Sequence, residues 1–392
     1  MDISAYKKWT HFTIAESLPG GGYGTGGIGL GDFTGSGSLD VAVSRRAPQT
    51  AYWFERKDDA TWVRHVIGQS VHLQRTLGAA VLDVDRDGWL DVVFSKVWFR
   101  NPGNLATEPD APWEVHTYDG GGHDIVAADI NGDGKDDVVT FDGKLLAWFD
   151  TSNGMAKTAI ADDLDCHGGI APRGVGDLTG NGCLDIVVPG FWYENPGNGT
   201  GEWRRHRWPH EPIPKASYGP SIRSWVADIN GTGHNDIVYA DCDTGFSHVY
   251  WVENKGGGKE WVRHPLPDPP GNEHTGSFHS LAVADFDQDG GNPDIFAGEQ
   301  EDASPMSGLG VLPMKPEGLK ERGVIWVNSG GSNPIFEPVV IHAGRPGWHD
   351  VVVGDVSGDG SIGLVSKVWN TDWNKGERNY HLDYWRNDIN RP

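Results

Sequence analysis

Cysteine is scarce. Cys166, Cys183 and Cys242 are too few for a disulfide framework and form no CxxC pair, so they read as buried or partly buried thiols. Cationic residues are also scarce. There are 32 Lys and Arg against 55 Asp and Glu, a formal net charge of -23. Nucleic-acid binders normally carry a basic footprint, so that class of partner is set aside. An acidic balance favours solubility and attracts cations. No apolar run approaches the roughly 20 residues that a membrane span needs. The opening MDISAYKKWTHFTI lacks a charged region followed by an apolar one. These absences lead to the expectation of a soluble monomer or dimer. It is secreted or periplasmic if a leader has been removed, and otherwise cytoplasmic. Helical periodicity is rare as well. In its place stand 56 Gly, 24 Pro and 18 Trp, spread evenly along 392 residues. Length alone favours two or three domains, but this texture predicts one turn-rich all-β domain over 1–392.

Three elements recur, each seven times. An aspartate loop appears as DFTGSGSLD, DVDRDGWLD, DINGDGKDD, DLTGNGCLD, DINGTGHND, DFDQDGGNPD and DVSGDGSIG. A tryptophan strand appears as YWFER, VWFRNP, AWFDTS, FWYENP, YWVENK, IWVNSG and YWRNDI. A third strand often reads WxxHxI, as in WTHFTI, WVRHVI and WVRHPL. With one strand before and one after each aspartate loop, every repeat has four strands. That pattern predicts a seven-bladed β-propeller with four-stranded blades. WTHFTI opens the chain with no blade before it, and YWRNDI ends it with no third element after it. The first strand is therefore expected to complete the last blade and close the ring. The WxxH histidines (His11, His65, His116, His206, His264) belong to this architecture.

The loops and their order resemble the FG-GAP/VCBS type of seven-bladed propeller, along essentially the whole chain. Alternate oxygen ligands in such loops suit calcium. Asp83, Asp85, Asp87 and Asp91 make one complete set, and Asp129, Asn131, Asp133 and Asp137 another. Their role is structural. By connectivity, the segments that enter the inner strands and those that follow the second strands share the opposite face, the mouth. Six residues before each loop stand Gly26, Leu77, His123, Ala171, Ile222, His279 and His349. Three histidines at equivalent positions converge near the ring axis. Around them the same segments carry His167, His274, Arg75, Arg173, Tyr218, Arg223, Lys96, Asp241, Asp243, Glu299, Lys367, Trp98, Trp192 and Trp369. Imidazoles and carboxylates brought together suit a transition metal or a proton donor and acceptor pair. The cations favour an oxygen-rich or anionic ligand, and the tryptophans offer platforms for sugar rings. The long stretch 299–323 is a candidate lid.

EHTGSFHSLAVADFDQDG, from Glu273 to Gly290, resembles HTGSxHxxxxADxDGDG of the aldos-2-ulose (anhydrofructose) dehydratase propeller, and earlier in the chain GIGLGDF is similar to that family's first inner strand and GGHDIVAADI sits where it has its third. The resemblance implies removal of water from a keto-sugar with a divalent metal (Zn, Mn or Mg) in the axial cleft. It puts His279 on a metal-ligand position and His123 on the proton-accepting one. Ala171 stands where that family has another histidine ligand, which leaves His167, His349 or Glu299 to compensate. A looser resemblance is to seven-bladed polysaccharide lyases, of the L-rhamnose-α-1,4-D-glucuronate lyase and ulvan lyase types. Both imply β-elimination. The expectation is thus a carbon–oxygen lyase acting on a sugar or oligosaccharide. His123 is the base, with His349 and His274 beside it. Arg75, Arg173 or Arg223 would hold a uronate carboxylate, and Lys96, Tyr218, Lys367 and Trp369 would complete the substrate site. A carbohydrate-binding propeller without catalysis is the alternative, and a protein-interaction platform a more distant one.

Overall fold

The computed structural model describes residues 3–22, 24–211, 220–301, 318–369 and 380–391. Its strands form seven antiparallel blades in a ring, a β-propeller with almost no helix. Blade one runs from the axis outward as Thr25–Gly31, Asp40–Arg45, Thr50–Arg56 and Trp62–Gln69. Blades two to seven repeat that order from inner strands Ala80–Leu82, Asp124–Ala128, Val175–Gly176, Ile222–Ala227, Phe278–Ala284 and Asp350–Gly354. The ring closes as expected. Trp9–Ala15 is the outermost strand of blade seven, paired antiparallel with Leu382–Asn387 from Trp9 opposite Asn387 to Ala15 opposite Leu382.

The recurrent residues have separate duties. The first aspartate of every loop accepts the N–H of the glycine five residues on, as in Gly37 to Asp32, Gly134 to Asp129 and Gly360 to Asp355. This is a local turn held by its own side chain. The last aspartate is buried and clips the end of the third strand. Asp40 accepts from Arg56 N–H, Asp185 from Asn195 N–H and Asp294 from Asn328 N–H. Burial pushes these three carboxyls up to about 7. The asparagine that ends the third strand then reaches the preceding blade. The Nδ2 groups of Asn101, Asn195, Asn254, Asn328 and Asn387 donate to the carbonyls of Phe33, Ile130, Leu178, Ile229 and Phe286.

The WxxH motif is a cross-strand pair. Trp53, Trp98, Trp192 and Trp251 lie directly opposite His65, His116, His206 and His264, and each pair stacks with centroids 4.2–4.5 Å apart. Opposed aromatic residues are a favourable unit of sheet stabilisation. Near the axis the inner strands crowd. A Cβ on Gly27 would meet the Gly78 carbonyl carbon at 2.3 Å, and one on Gly78 would meet Ile125 N at 2.6 Å. Glycine is required there by close backbone approach. Blade four departs from the repeat. Pro172–Arg173 pairs parallel with Ser224–Trp225 of blade five, and only Val175–Gly176 stays on its own blade. Pro172 has no N–H to give to a regular ladder. Among the described residues, no helix is long and apolar enough to cross a membrane.

Candidate active site at the mouth of the ring

The aspartate loops occupy one face, and the segments entering the inner strands occupy the other. At that second face the structure gathers His123, His167, His279 and His349, with Asp124, Asp243, Asp350, Arg223 and Lys367. His123 Nδ1 lies 2.7 Å from Asp124 Oδ1, and His349 Nδ1 lies 3.0 Å from Asp350 Oδ2. Two neighbouring residues in the chain thus make a histidine–aspartate pair twice, in blades three and seven. Asp124 is further held by the N–H groups of Gly169, Ile170 and Ala171 at 2.6–3.3 Å. Asp350 is held by Lys367 Nζ at 2.5 Å. Arg223 stands between the pairs. One terminal nitrogen is 2.8 Å from Asp350, the other 3.6 Å from Asp124, and Nε donates to the His279 carbonyl.

The imidazoles pack on one another. His123 meets His167 edge-on at 4.4 Å, and His279 stacks on His349 at 3.7 Å. Burial keeps His167, His279 and His349 neutral. It lowers His167 to about 4, depresses His279 with Arg223 adding to the effect, and drives His349 well below its ordinary value. The carboxylates behave in the opposite way. Burial opposes their charge, but His123, Arg223 and the backbone N–H groups hold Asp124 well below the usual range. Lys367 and Arg223 do the same for Asp350. At His349 and Asp350 the arrangement therefore presents a neutral imidazole beside an ionised carboxylate, the state in which histidine accepts protons or binds metal.

Two sets of atoms have metal-ligand spacing. Cys242, Asp243 and His279 bring one ligand atom each within 4.8 Å of one another, as do His279, His349 and Asp350. Asp243 adopts φ 58° and accepts from Ser221 Oγ at 2.6 Å. Its other oxygen lies 3.5 Å from His279 Nε2. Cys242 was not legible as a site residue. Its only signal is its place before Asp243 in ADCDTG. On the axis below this group is a cavity of about 110 Å³, lined by Arg223, His279 and Asp350 with Leu77, Ile125 and Val351.

Other expected site residues lie elsewhere. Glu299 is fully buried, but it binds Arg322 Nε and Nη2 and the N–H groups of Gly276 and Arg322 rather than the histidines. Arg322 was missed because nothing in its local sequence marks it. His274 is exposed at the rim, tilted against Phe246 at 4.9 Å. Arg75 and Lys96 are exposed on the mouth face. Arg173 points into the axial channel, over Trp225 and near Asp136, Asp177 and Asp228. Arg223 and Lys367 are buried supports of the carboxylates. Trp369 is packed between His349 and Arg46, and Trp98 and Trp192 are stacked on their histidines, so all three rings are already occupied. Tyr218 and the greater part of 299–323 lie outside the described residues.

The calcium-like loops differ from one another. Asp83, Asp85 and Asp91 bring oxygens within 4.8 Å, as do Asp285, Asp287 and Asp289. Asp85 and Asp87 pair with Arg100. In the third loop Asp129 accepts three backbone N–H groups, Asn131 accepts from Asp133 N–H, Asp133 pairs with Arg86 and Asp137 clips Thr151.

An FG-GAP-like repeat model matches residues 32–94 and 228–297, so the propeller carries FG-GAP-like repeats. No curated protein sequence matches the chain. Among solved structures, an Agrocybe aegerita lectin, described for recognition of non-reducing terminal N-acetylglucosamine, is similar at 19% identity. It has a TM-score of 0.52, over 82% of this chain and 81% of that one. BBS1N, solved in complex with ARL6DN, is similar at 9% identity with a TM-score of 0.53, over 96% of this chain and 95% of that one. At these identities the likeness is one of fold.

Proposed function

We propose that the protein is a carbon–oxygen lyase that carries out β-elimination on a keto-sugar or a uronate-containing glycoside. The observation that carries this reading is the His123–Asp124 pair. An ionised carboxylate at 2.7 Å from Nδ1 leaves Nε2 of His123 as the proton acceptor. His123 takes the proton from the carbon next to the ketone or carboxylate, and the C–H electron pair forms the enolate. Its collapse breaks the C–O bond at the β position. The departing oxygen takes the proton back from His123, so no proton is gained or lost overall. Arg75 and Lys96, exposed on the same face, are suited to pair with a uronate carboxylate.

The donor set around His279 fits a divalent metal. Thiolate, carboxylate and imidazole from Cys242, Asp243 and His279 favour zinc over manganese or magnesium. A metal held there would supply positive charge for the enolate oxygen. Calcium in the Asp83 loop would serve the fold alone.

The test is a panel of uronic oligosaccharides and keto-sugars, followed by the ultraviolet absorbance of an unsaturated product. It includes a chelator control and the variants His123→Ala and His279→Ala. The expected result is absorbance with the wild type that is lost in His123→Ala. Full activity in both variants overturns the site. A second reading, a sugar-binding propeller, draws support from the lectin that shares this fold over most of its length. Saturable binding with no absorbance change across the panel would decide for it.

A further inference from the structure

Among the described residues, Arg223 is the one side chain that reaches both histidine–aspartate pairs. It belongs to blade five, whereas the pairs belong to blades three and seven. It is buried, with 6% exposure; it hydrogen-bonds Asp350, the His279 carbonyl and His279 Nδ1, and its other terminal nitrogen lies 3.6 Å from Asp124, a charge contact rather than a hydrogen bond. A guanidinium only donates, and an ionised carboxylate only accepts. A carboxylate beside Arg223 must therefore take its hydrogen bond from the neighbouring ring as an acceptor, with the ring nitrogen donating. The ring nitrogens at 2.7 Å and 3.0 Å supply it, and these are Nδ1 in both cases. Which nitrogen of a neutral imidazole carries the proton is set by the hydrogen bond the other makes.

We propose that Arg223 is the positioning residue of this site. Its hydrogen bond to Asp350 and its charge 3.6 Å from Asp124 keep the two carboxylates in place so that His123 and His349 both carry their proton on Nδ1 and both present Nε2 as an acceptor. Lys367 supports only one of the two carboxylates, through Asp350 and Thr25. Among the described residues Arg223 alone joins the pairs, so its loss should be felt at both histidines. The kinetic consequence rests on the elimination reading, but the tautomers do not.

The decisive measurement is long-range ¹H–¹⁵N correlation of the histidine rings in the full chain at neutral pH, assigned with His123→Gln and His349→Gln. The expected wild-type pattern has Nδ1–H at His123 and His349. In Arg223→Met both should lose that fixed pattern, while His206 and His264 on the outer strands keep theirs. Arg223→Lys keeps the charge but has one nitrogen, so it should restore at most one histidine. Nε2–H at both rings in the wild type overturns the proposal, as do unchanged tautomers in Arg223→Met. If Arg223→Met does not fold, the wild-type pattern and Arg223→Lys carry the test. Should Arg223→Lys leave both rings as in the wild type, the proposal also fails. Where a substrate is found, Arg223→Lys should lower kcat by about 10²–10⁴-fold, the usual share of a general base, with little change in KM. No elimination with the expected tautomers removes the functional reading and leaves the proposal standing.

Discussion

Removing the charge of Glu299 should unfold the mouth of blade six before it affects any metal. The carboxylate takes four hydrogen bonds: from Arg322 Nη2 at 2.6 Å, from Gly276 N–H at 2.7 Å, and from Arg322 Nε and N–H at 2.9 Å each. Neither side chain is exposed by more than 2%. In Glu299→Gln one oxygen becomes an amide donor facing a group that only donates, and Arg322 is left with the carbonyls of Pro269, Pro270 and His274. Breaking a buried ion pair by removing one partner costs about 3–5 kcal/mol, whereas replacing both partners with apolar residues is often neutral. Glu299→Gln and Arg322→Met should therefore each lose about 3–5 kcal/mol in urea unfolding followed by tryptophan fluorescence. The double variant Glu299→Leu with Arg322→Met should recover most of that loss. Metal affinity, measured by calorimetry on folded protein, should be unchanged in the double variant. A single variant within about 1 kcal/mol of the wild type, or loss of metal binding with stability intact, would refute this assignment and return Glu299 to the metal site.

Deleting residues 1–15 removes the closing strand with Tyr6 and Ile14 from the core and should abolish cooperative thermal unfolding, because each buried apolar side chain contributes about 1.5–3 kcal/mol. His167, held at about 4 by burial, favours the folded state through its neutral form. Its contribution is complete above its ordinary value near 6.5 and is lost as pH falls towards 4, a loss on the order of 3 kcal/mol in chelator-treated protein that His167→Gln should abolish. His264→Ala removes a ring stacked on Trp251 at 4.3 Å and should cost about 0.5–1.5 kcal/mol in the same unfolding assay, without changing the mouth. His279 Nδ1 lies between the donor Arg223 and the accepting His349 carbonyl. Zinc bound at Nε2 should therefore send its proton to Nδ1, seen as a change of ring pattern on zinc titration and reversed by chelator.

Repetition made the ring legible. Seven copies of an aspartate loop and a tryptophan strand gave the blade number, and the unmatched WTHFTI gave the closure. Histidine at one register position of three blades led to the mouth, since equivalent positions of different blades meet at the axis. The same register carried Asp124 and Asp350 one residue on. What repetition cannot convey is contact between unlike positions. Arg223 occurs once, and its reach to blades three and seven depends on the diameter of the ring. Glu299 looked like a ligand because its partner, Arg322, follows the long intervening stretch on the next strand. The exchange of Pro172–Arg173 to blade five occurs at a proline that has no N–H to offer a ladder. Trp369 lies outside the tryptophan strand, yet it too is spent on packing, between His349 and Arg46.

The asparagines that reach from blade to blade all lie beside the aspartate loops, on the face away from the histidines. Five of them point the same way round the circle, each to the blade before. The ring is laced along one rim like the hoop of a basket, while the opposite rim is tied by unlike contacts, such as Asp124 to Gly169, Ile170 and Ala171. Exchanges at the mouth leave the asparagine hoop of the other rim in place. The fold can thus exchange the chemistry it presents while keeping its circumference.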